Sequence, residues 1–216
     1  MKINLKTLLL TGFFLSGMAA LIYEVVWTRP LSLIFGSTIY AVSTMLSAFM
    51  AGLALGSYIL SKYADKLKNP LYTFAIFEIC IGIYGLLIIG LFNILPYPFL
   101  WIWNKFNPSF AIFNFIQFIL CFLVLLIPTT LMGATWPVVN KAYIKHIEKV
   151  GKGTGTLYSV NSFGAIIGSW MAGFILIPSL GIRASSIFAA ILNLIVGIII
   201  FAISRSKVER PDSEVK

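Results

Sequence analysis

The chain has 216 residues, of which 59% are hydrophobic and only 11% are charged. Soluble domains average about 25% charged residues, so this composition excludes a soluble globular protein and indicates that most of the surface faces lipid. The net charge of +9 favours a nucleic-acid partner only where basic residues form one solvated face, but here they lie between long apolar segments. We therefore expect a protein of the lipid bilayer with no nucleic-acid partner.

Six apolar segments approach or exceed the roughly 20 residues that a helix needs to cross a bilayer. The predicted spans are residues 8–26, 37–60, 71–95, 110–131, 155–177 and 183–204. A short connection from Trp27 to Pro30 separates the first two, and a polar segment from Asn140 to Thr154 precedes the fifth. The prediction is an all-α integral membrane fold, with a six-helix domain over residues 1–204 and a charged cytoplasmic tail over residues 205–216.

The positions of the basic residues predict the orientation of these spans. If the spans alternate in direction, 13 of the 16 Lys and Arg residues lie on one side of the membrane. The remaining three are Arg29, Lys105 and Arg183. Because Lys and Arg in short loops stay in the cytoplasm, we predict a multi-pass protein of the cell membrane with both termini cytoplasmic. The stretch from Pro96 to Pro108, with Trp101 and Trp103, is then a loop that anchors at the outer interface.

The second and fifth spans share local sequence. Thr38 to Ser43 is similar to Thr156 to Asn161, and Met50 to Gly52 recurs as Met171 to Gly173. A repeat with an odd number of helices inverts its own topology, and inverted three-helix repeats recur in transporters. The pattern therefore predicts two inverted three-helix repeats.

Both of these spans also carry glycines four residues apart, namely Gly52 with Gly56 and Gly164 with Gly168. Small residues at this spacing let two helix backbones approach closely in lipid. We predict a helix-packing role for all four, either within the chain or against a second membrane chain.

Two acidic residues fall inside the spans, where a charged side chain costs about 2.5–3.5 kcal/mol on insertion scales. Glu24 and Glu78 are therefore candidates for binding a substrate cation or a proton. The alternative for Glu24 is an interfacial ion pair with Arg29 that fixes the turn between the first two spans. The alternative for Glu78 is a buried structural contact.

Other polar residues are weaker candidates. Tyr40 and Tyr158 occupy matching positions of the repeat, and they either line a cavity or pack. Asn161 is a further candidate for binding substrate, but intramembrane amides ordinarily form interhelical hydrogen bonds, and this expectation also covers Asn114, Gln117 and Asn193.

Little in the sequence indicates catalysis or metal binding. His146 is the only histidine, which excludes a histidine cluster or triad, and both cysteines lie inside spans. We predict no catalytic, cofactor or metal residues. The segment from Asn140 to Val150 has an apolar face and a basic face, which predicts a short amphipathic helix on the inner surface.

Several longer strings resemble one protein family. They are Ser16 to Arg29 (SGMAALIYEVVWTR), Phe35 to Ala41 (FGSTIYA), Ala48 to Ser57 (AFMAGLALGS), Leu131 to Pro137 (LMGATWP) and Gly155 to Ala165 (GTLYSVNSFGA). Together they resemble the membrane domain of fused spermidine synthase-like proteins, and the resemblance extends from about Gly12 to Gly181.

The resemblance implies a fold and a possible substrate. In that family the membrane part is similar to half of a major facilitator transporter and usually precedes a cytosolic aminopropyltransferase domain. Asp65 and Lys66 match a facilitator loop motif, which implies a structural or gating role. Only 12 residues follow Ser204, too few for a catalytic domain, so we expect no enzymatic activity.

Two hypotheses follow from this sequence. The first is a transport or substrate-channelling subunit, for polyamines or other small cations, that pairs as a homodimer or with a second membrane chain through the glycines above. The second is a membrane anchor without transport activity, which recruits a separate cytosolic aminopropyltransferase.

Overall fold

A computed structural model describes residues 5–144 and 150–208. Within these ranges the chain is all-helical. The helices are α1 (Leu5–Phe35), α2 (Thr38–Ala64), α3 (Pro70–Ile94), α4 (Pro96–Phe106), α5 (Phe110–Tyr143), α6 (Val150–Met171), a π-helical turn (Ala172–Leu176) and α7 (Ile177–Val208).

Five helical stretches in the described ranges are long and apolar enough to cross a membrane. They are Leu5–Phe35, Thr38–Ala64, Pro70–Phe106, Phe110–Tyr143 and Val150–Arg205. The last has 56 residues and contains one non-helical position, Gly181, with φ 78° and ψ 174°. The length and composition of these helices agree with the prediction of a helical membrane protein.

The first helix is longer than predicted. The connection expected from Trp27 to Pro30 is helical, and α1 continues to Phe35. Pro30 lies inside this helix, and the residues beside it, Trp27 and Leu31, are buried against the bundle. Packing against neighbouring helices lets a membrane helix accommodate proline. The chain turns instead at Gly36, whose φ of 65° is easily reached by glycine.

The aromatic segment after α3 is also helical, which corrects the prediction of a loop. Pro96 begins α4, because proline is well suited to the first helical position, where its missing N–H leaves no bond unmade. The helix ends at Asn107, which has a left-handed φ of 40°. Phe99 is buried against the bundle, while Trp101 and Trp103 are exposed.

The helix α5 extends twelve residues past the predicted end of the fourth span at residue 131, and it includes Pro128 and Pro137. Residues up to Tyr143 of the predicted amphipathic segment are the end of this helix, and Lys145, His146 and Lys149 lie outside the described residues. The apolar run predicts only the part of α5 that can lie in lipid, and the helix itself continues into the more polar residues that follow.

The helices pack in a specific set of pairs. The most extensive contacts join α2 to α5, α3 to α7 and α1 to α6, and smaller ones join α1 to α7, α3 to α5 and α1 to α2. The helix α1 therefore lies at the centre of the bundle. Its side chains Tyr23 and Trp27 are among the largest that are fully buried.

Glycines lie at the α2–α5 and α1–α6 contacts. At the α2–α5 contact, a Cβ on Gly52 would overlap Thr129, one on Gly56 would overlap the Thr130 carbonyl, and one on Gly133 would overlap Leu53. At the α1–α6 contact, Gly164 and Gly168 lie against the backbone of Phe14 and Met18, and Gly17 lies against Asn161.

The four predicted glycines therefore pack within the chain. This corrects the prediction that they form a face for a second copy, because their surface is already covered by α5 and α1. Of the two alternatives for these stripes, packing within the chain is the one present in the structure.

Candidate functional site

Glu78 lies on α3 in the middle of the bundle and has no exposed surface. Its carboxyl group is held from two other helices. Oε1 accepts a hydrogen bond of 2.6 Å from the Ser16 hydroxyl on α1, and Oε2 accepts one of 2.7 Å from the Asn193 amide on α7. We call these three residues the Glu78 cluster.

Glycines bring α3 and α7 close enough for this contact. Gly82 lies one turn after Glu78 and faces Leu194, while Gly197 lies one turn after Asn193 and faces Ile79. A Cβ at either position would come within 2.8 Å of a neighbouring side chain. The bare glycine surfaces therefore let a short Asn side chain on α7 reach a carboxyl group on α3.

The Glu78 cluster contains no cationic partner. Among the described residues, no Lys, Arg or His makes an ion pair with Glu78, and its carboxyl oxygens accept from a hydroxyl and an amide. Burying an ionisable group away from water is costly, and hydrogen bonds offset part of that cost. A buried carboxyl group held by neutral donors is a group that can bind a proton, but in this closed arrangement it is not accessible to a polyamine.

A second set of polar contacts lies along the same three helices. The Trp27 indole donates to the Ser186 hydroxyl at 3.0 Å, which in turn donates to the Gly85 carbonyl at 3.3 Å. Tyr23 stacks on Trp27 with ring centroids 4.4 Å apart. Gly85 makes room for Tyr23, because a Cβ there would overlap its hydroxyl.

Two buried atoms near these contacts have no hydrogen-bond partner within the described ranges, the Tyr23 hydroxyl and Asn193 Oδ1. Most buried polar atoms in proteins are paired. The polar core between α1, α3 and α7 therefore contains one hydroxyl group and one amide oxygen that have no hydrogen-bond partner among the described residues.

The predicted ion pair of Glu24 with Arg29 is not present between these two described residues. Both belong to the continuous helix α1, where five residues correspond to a rotation of about 140°. Glu24 is half-buried and Arg29 is exposed, so the two side chains point to different sides. The turn that this pair was expected to fix lies instead at Gly36.

The other predicted substrate residues lie away from Glu78. Tyr40 is 45% exposed on α2 and Tyr158 is 64% exposed on α6, so neither lines an internal cavity. The Asn161 amide donates to the Phe13 carbonyl at 3.0 Å and joins α6 to α1. Glu24, Glu78, Tyr40, Tyr158 and Asn161 therefore do not form a single site.

The predicted gating residues lie in the turn between α2 and α3. Asp65 follows the last residue of α2, and the Lys66 N–H donates to the Tyr63 carbonyl at 3.0 Å. The Lys141 ammonium, at the end of α5, donates to the Asp65 carbonyl at 2.5 Å. This contact joins the α2–α3 turn to α5 at one end of the bundle.

Sequence reasoning singled out Glu78 but missed its partner Ser16, and it treated Asn193 only as a general interhelical hydrogen-bond residue. An ionisable residue in an apolar segment can be recognised directly in the sequence as a candidate. A serine on one helix and an asparagine on another carry no sign of which residue they meet, because Ser16 and Asn193 lie 62 and 115 positions from Glu78.

Comparison of the chain with protein-family models, with characterised proteins and with solved structures gave no match. Within the described residues, no group of three or more His, Cys, Asp or Glu side chains is placed to hold a metal ion. We therefore infer function from the geometry of the bundle and of the Glu78 cluster.

Proposed function

We propose that the protein is a transport or channelling subunit of the membrane, built as a half-facilitator of six spans in two inverted three-helix repeats. The observation that carries the proposal is the pattern of helix pairs. Exchanging α1, α2 and α3 with α5, α6 and α7 converts the α1–α6 contact into α2–α5 and the α1–α7 contact into α3–α5, and it leaves α3–α7 unchanged. A two-fold relation between repeats produces this kind of pattern.

The glycines support the same relation at residue level. At the α2–α5 contact, Gly52 and Gly56 lie on α2, which is the second helix of the first triplet, and Gly133 lies on α5, which is the first helix of the second triplet. The α1–α6 contact has the same distribution, with two on α6 and Gly17 on α1. Two helix pairs far apart in sequence therefore achieve close approach in the same way.

The length of the last helical stretch supports six spans over five. A continuous helix of 56 residues would be roughly 84 Å long, whereas the apolar core of a bilayer is about 30 Å thick. Gly181 interrupts the helix with dihedral angles that only glycine adopts readily. Residues Val150–Leu176 and the part of α7 after Gly181 are each long enough to span once.

A half-facilitator needs a second membrane chain to complete a transport pathway, and we place that chain on the exposed side of α2. Tyr40, Ser43 and Ser47 share one face of this helix and are exposed. Hydroxyls on a lipid-facing surface gain no partner from acyl chains, so this face suits a protein neighbour, either a second copy or another membrane protein.

In this proposal the Glu78 cluster is the proton-binding element of the subunit. Polyamines are the first substrates to test, because of the resemblance to the membrane domain of fused spermidine synthase-like proteins. A cation would reach Glu78 only after α1, α3 and α7 move apart, since the carboxyl group has no exposed surface. Transport therefore requires a second arrangement of the bundle.

The test is uptake of labelled spermidine and putrescine into proteoliposomes by the wild type and by Glu78→Gln. We expect uptake by the wild type and a loss of at least tenfold in the variant, which keeps the size of the side chain and one oxygen acceptor but cannot exchange a proton. Cys80→Ala is the matched control, because Cys80 lies two residues away on the exposed side of α3. Equal uptake by wild type and Glu78→Gln would show that transport does not need the Glu78 carboxyl group. No uptake by either protein would contradict transport of polyamines.

A second candidate is the membrane anchor for a separate aminopropyltransferase. It is favoured by the bond between Lys141 and Asp65, which holds one end of the bundle as a fixed surface. Co-purification of a soluble aminopropyltransferase, lost on Lys141→Ala but retained on Lys105→Ala at the opposite end, would support the anchor. If no aminopropyltransferase is present in the protein purified in mild detergent, that result would count against the anchor.

A further inference from the structure

The three helices around Glu78 carry a second polar layer about two turns away. Counting seven residues forward from the Glu78 cluster on α1 and α3, and seven back on α7, leads to Tyr23, Gly85 and Ser186. Seven residues correspond to about 10 Å of helix. These three residues are in contact, because the Tyr23 hydroxyl lies against Gly85 and the Ser186 hydroxyl donates to the Gly85 carbonyl at 3.3 Å. We call them the Tyr23 layer.

The same count in the opposite direction leads to an apolar layer. Its residues belong to or pack against one hydrophobic cluster and are Leu9, Leu71 and Ile200. Between this layer and Glu78, Phe13 and Phe74 pack edge to face with ring centroids 6.3 Å apart. Closely packed apolar regions hold no water, so this packing closes Glu78 off from the end of the bundle at which α1 begins.

Smaller side chains separate Glu78 from the Tyr23 layer. About one turn from the Glu78 cluster in this direction are Ala19 on α1, Gly82 on α3 and Ala190 on α7. Leu194 covers Gly82, so two alanines and one leucine lie here, where the other direction has two phenylalanines. The weaker apolar barrier around Glu78 is therefore on the side towards the end of α1.

The Tyr23 hydroxyl has no function in the closed fold. Tyr23 is fully buried, and neither its hydroxyl nor Asn193 Oδ1 has a hydrogen-bond partner among the described residues. Phenylalanine would fill nearly the same volume without the cost of an unpaired hydroxyl. A buried polar group without a partner needs a reason, and a partner in a second arrangement of the helices is one. The hydroxyl can both donate and accept a proton.

Few other groups could take part in proton transfer here. Besides Glu78, the buried titratable side chains among the described residues are Tyr23 on α1 and Cys121 on α5, and the described part of α7 contributes none. Of these, Tyr23 is the one that lies in a polar layer of the same three helices. It is therefore the group best placed to connect Glu78 with water.

We propose that Glu78 receives its proton from the side of the membrane at which α1 ends, through the Tyr23 hydroxyl. When the helices separate on that side, water enters between Ala19 and Ala190 and joins Tyr23 to the carboxylate. Tyr23 passes its proton through this water to Glu78 and takes another from the water at Ser186. One proton thus moves from the medium to Glu78, and Tyr23 is left unchanged. In the six-span orientation this side is the outer one.

This inference rests on the proposed role of Glu78 in binding a proton, and it adds the route and the side. The experiment measures the infrared band of the Glu78 carboxylic acid, identified by its loss in Glu78→Gln, in sealed proteoliposomes with a buffered interior. A step of the medium from alkaline to acid pH should protonate Glu78 quickly when the end of α1 at Phe35 faces the medium. In vesicles of the opposite orientation the response should be at least about tenfold slower.

Tyr23→Phe tests the hydroxyl directly. In the first orientation it should slow the response at least about tenfold, because a positioned proton-transfer group is lost. It should not lower the melting temperature, since the hydroxyl makes no hydrogen bond to the described residues. Tyr143→Phe is the matched control, because Tyr143 packs against the hydrophobic cluster on the other side of Glu78, and it should leave the response unchanged.

The outcomes separate the route from the role of Glu78. A Glu78 band that does not respond to pH in either orientation would contradict proton binding by Glu78, and the route with it. A band that responds equally fast in both orientations, or equally fast in Tyr23→Phe and the wild type, would overturn the route alone. If Tyr23→Phe fails to fold, the comparison of the two orientations tests the route with the wild type.

Discussion

At the scale of single residues, the Glu78 cluster carries a stability cost that its two partners offset. Replacing Asn193 by Leu leaves one carboxyl oxygen of Glu78 without its 2.7 Å bond, and the new side chain has no donor. Interhelical hydrogen bonds in membranes contribute up to about 2 kcal/mol, and loss of a partner from a buried polar group costs about 1–3 kcal/mol. We expect Asn193→Leu to lower the free energy of unfolding by about 1–2 kcal/mol, measured by titration with SDS.

The control and the reciprocal variant make this prediction specific. Ile195→Leu, on an exposed position of α7 two residues away, should change stability by less than about 0.5 kcal/mol, as surface substitutions usually do. In the Glu78→Leu background, Asn193→Leu should cost less than it does in the wild type, because the carboxyl group is no longer present to be left unpaired. Equal costs in the two backgrounds would mean that the two side chains are not coupled.

At the scale of helices, close packing by glycine is the main device of this fold, and α6 offers an internal comparison. A Cβ on Gly168 would overlap the Met18 backbone on α1, whereas one on Gly155 meets nothing within 4 Å. Gly168→Ala should therefore destabilise the protein by about 1–3 kcal/mol through overpacking. Gly155→Ala should stabilise it by up to about 1 kcal/mol, because alanine has the higher helix propensity. Thermal unfolding in detergent measures both, and a shift in the same direction for the two variants would contradict the α1–α6 contact.

The break at Gly181 provides a second prediction at this scale. Its φ of 78° and ψ of 174° lie in a region that is almost restricted to glycine and costs other residues about 1–3 kcal/mol. We expect Gly181→Ala to lower stability by that amount. Gly173→Ala in the neighbouring π-helical turn is the matched control, because that glycine has no positive φ and open space around it. A fully stable Gly181→Ala protein would mean that the helix does not turn at this residue.

The same helices show how far sequence alone reaches. The start of α3 follows from local signals, since Asn69 caps the helix by accepting a hydrogen bond from the Tyr72 N–H and Pro70 takes the first turn. The sequence places the ends of the first and fourth spans at residues 26 and 131, where apolarity falls, whereas α1 continues to Phe35 and α5 to Tyr143. In the fold, the Val124 carbonyl, which loses its helical donor at Pro128, accepts a hydrogen bond of 2.8 Å from the Tyr84 hydroxyl on α3, and that compensation depends on neighbours in space.

The candidate site was less predictable than the helices. Glu78 stood out because an acid in an apolar span needs a reason, but which residues contact it depends on helix pairing. For the glycine stripes, the type of contact was predictable but the contacting helix was not. Their spacing indicated a tight contact, and only the positions of α1 and α5 decided that the contact lies within the chain.

At the scale of the whole molecule, the number of spans determines where each end of α7 lies. If Gly181 separates two spans, Asn107 and Ser179 lie on one side of the membrane and Lys68 and Arg205 on the other. If Val150–Arg205 crosses once, Ser179 is buried in lipid and Arg205 lies on the same side as Asn107. The 13-to-3 distribution of basic residues favours the six-span arrangement.

Single cysteines in a protein without Cys80 and Cys121 distinguish these arrangements. A membrane-impermeant maleimide applied to right-side-out vesicles should label Asn107→Cys and Ser179→Cys, and applied to inside-out vesicles it should label Lys68→Cys and Arg205→Cys. All four positions are exposed in the fold, so accessibility depends only on the side of the membrane. Labelling of Arg205→Cys from the same side as Asn107→Cys, with Ser179→Cys unreactive, would require five spans and would remove the basis for two inverted repeats, since three helices could not then be matched with three.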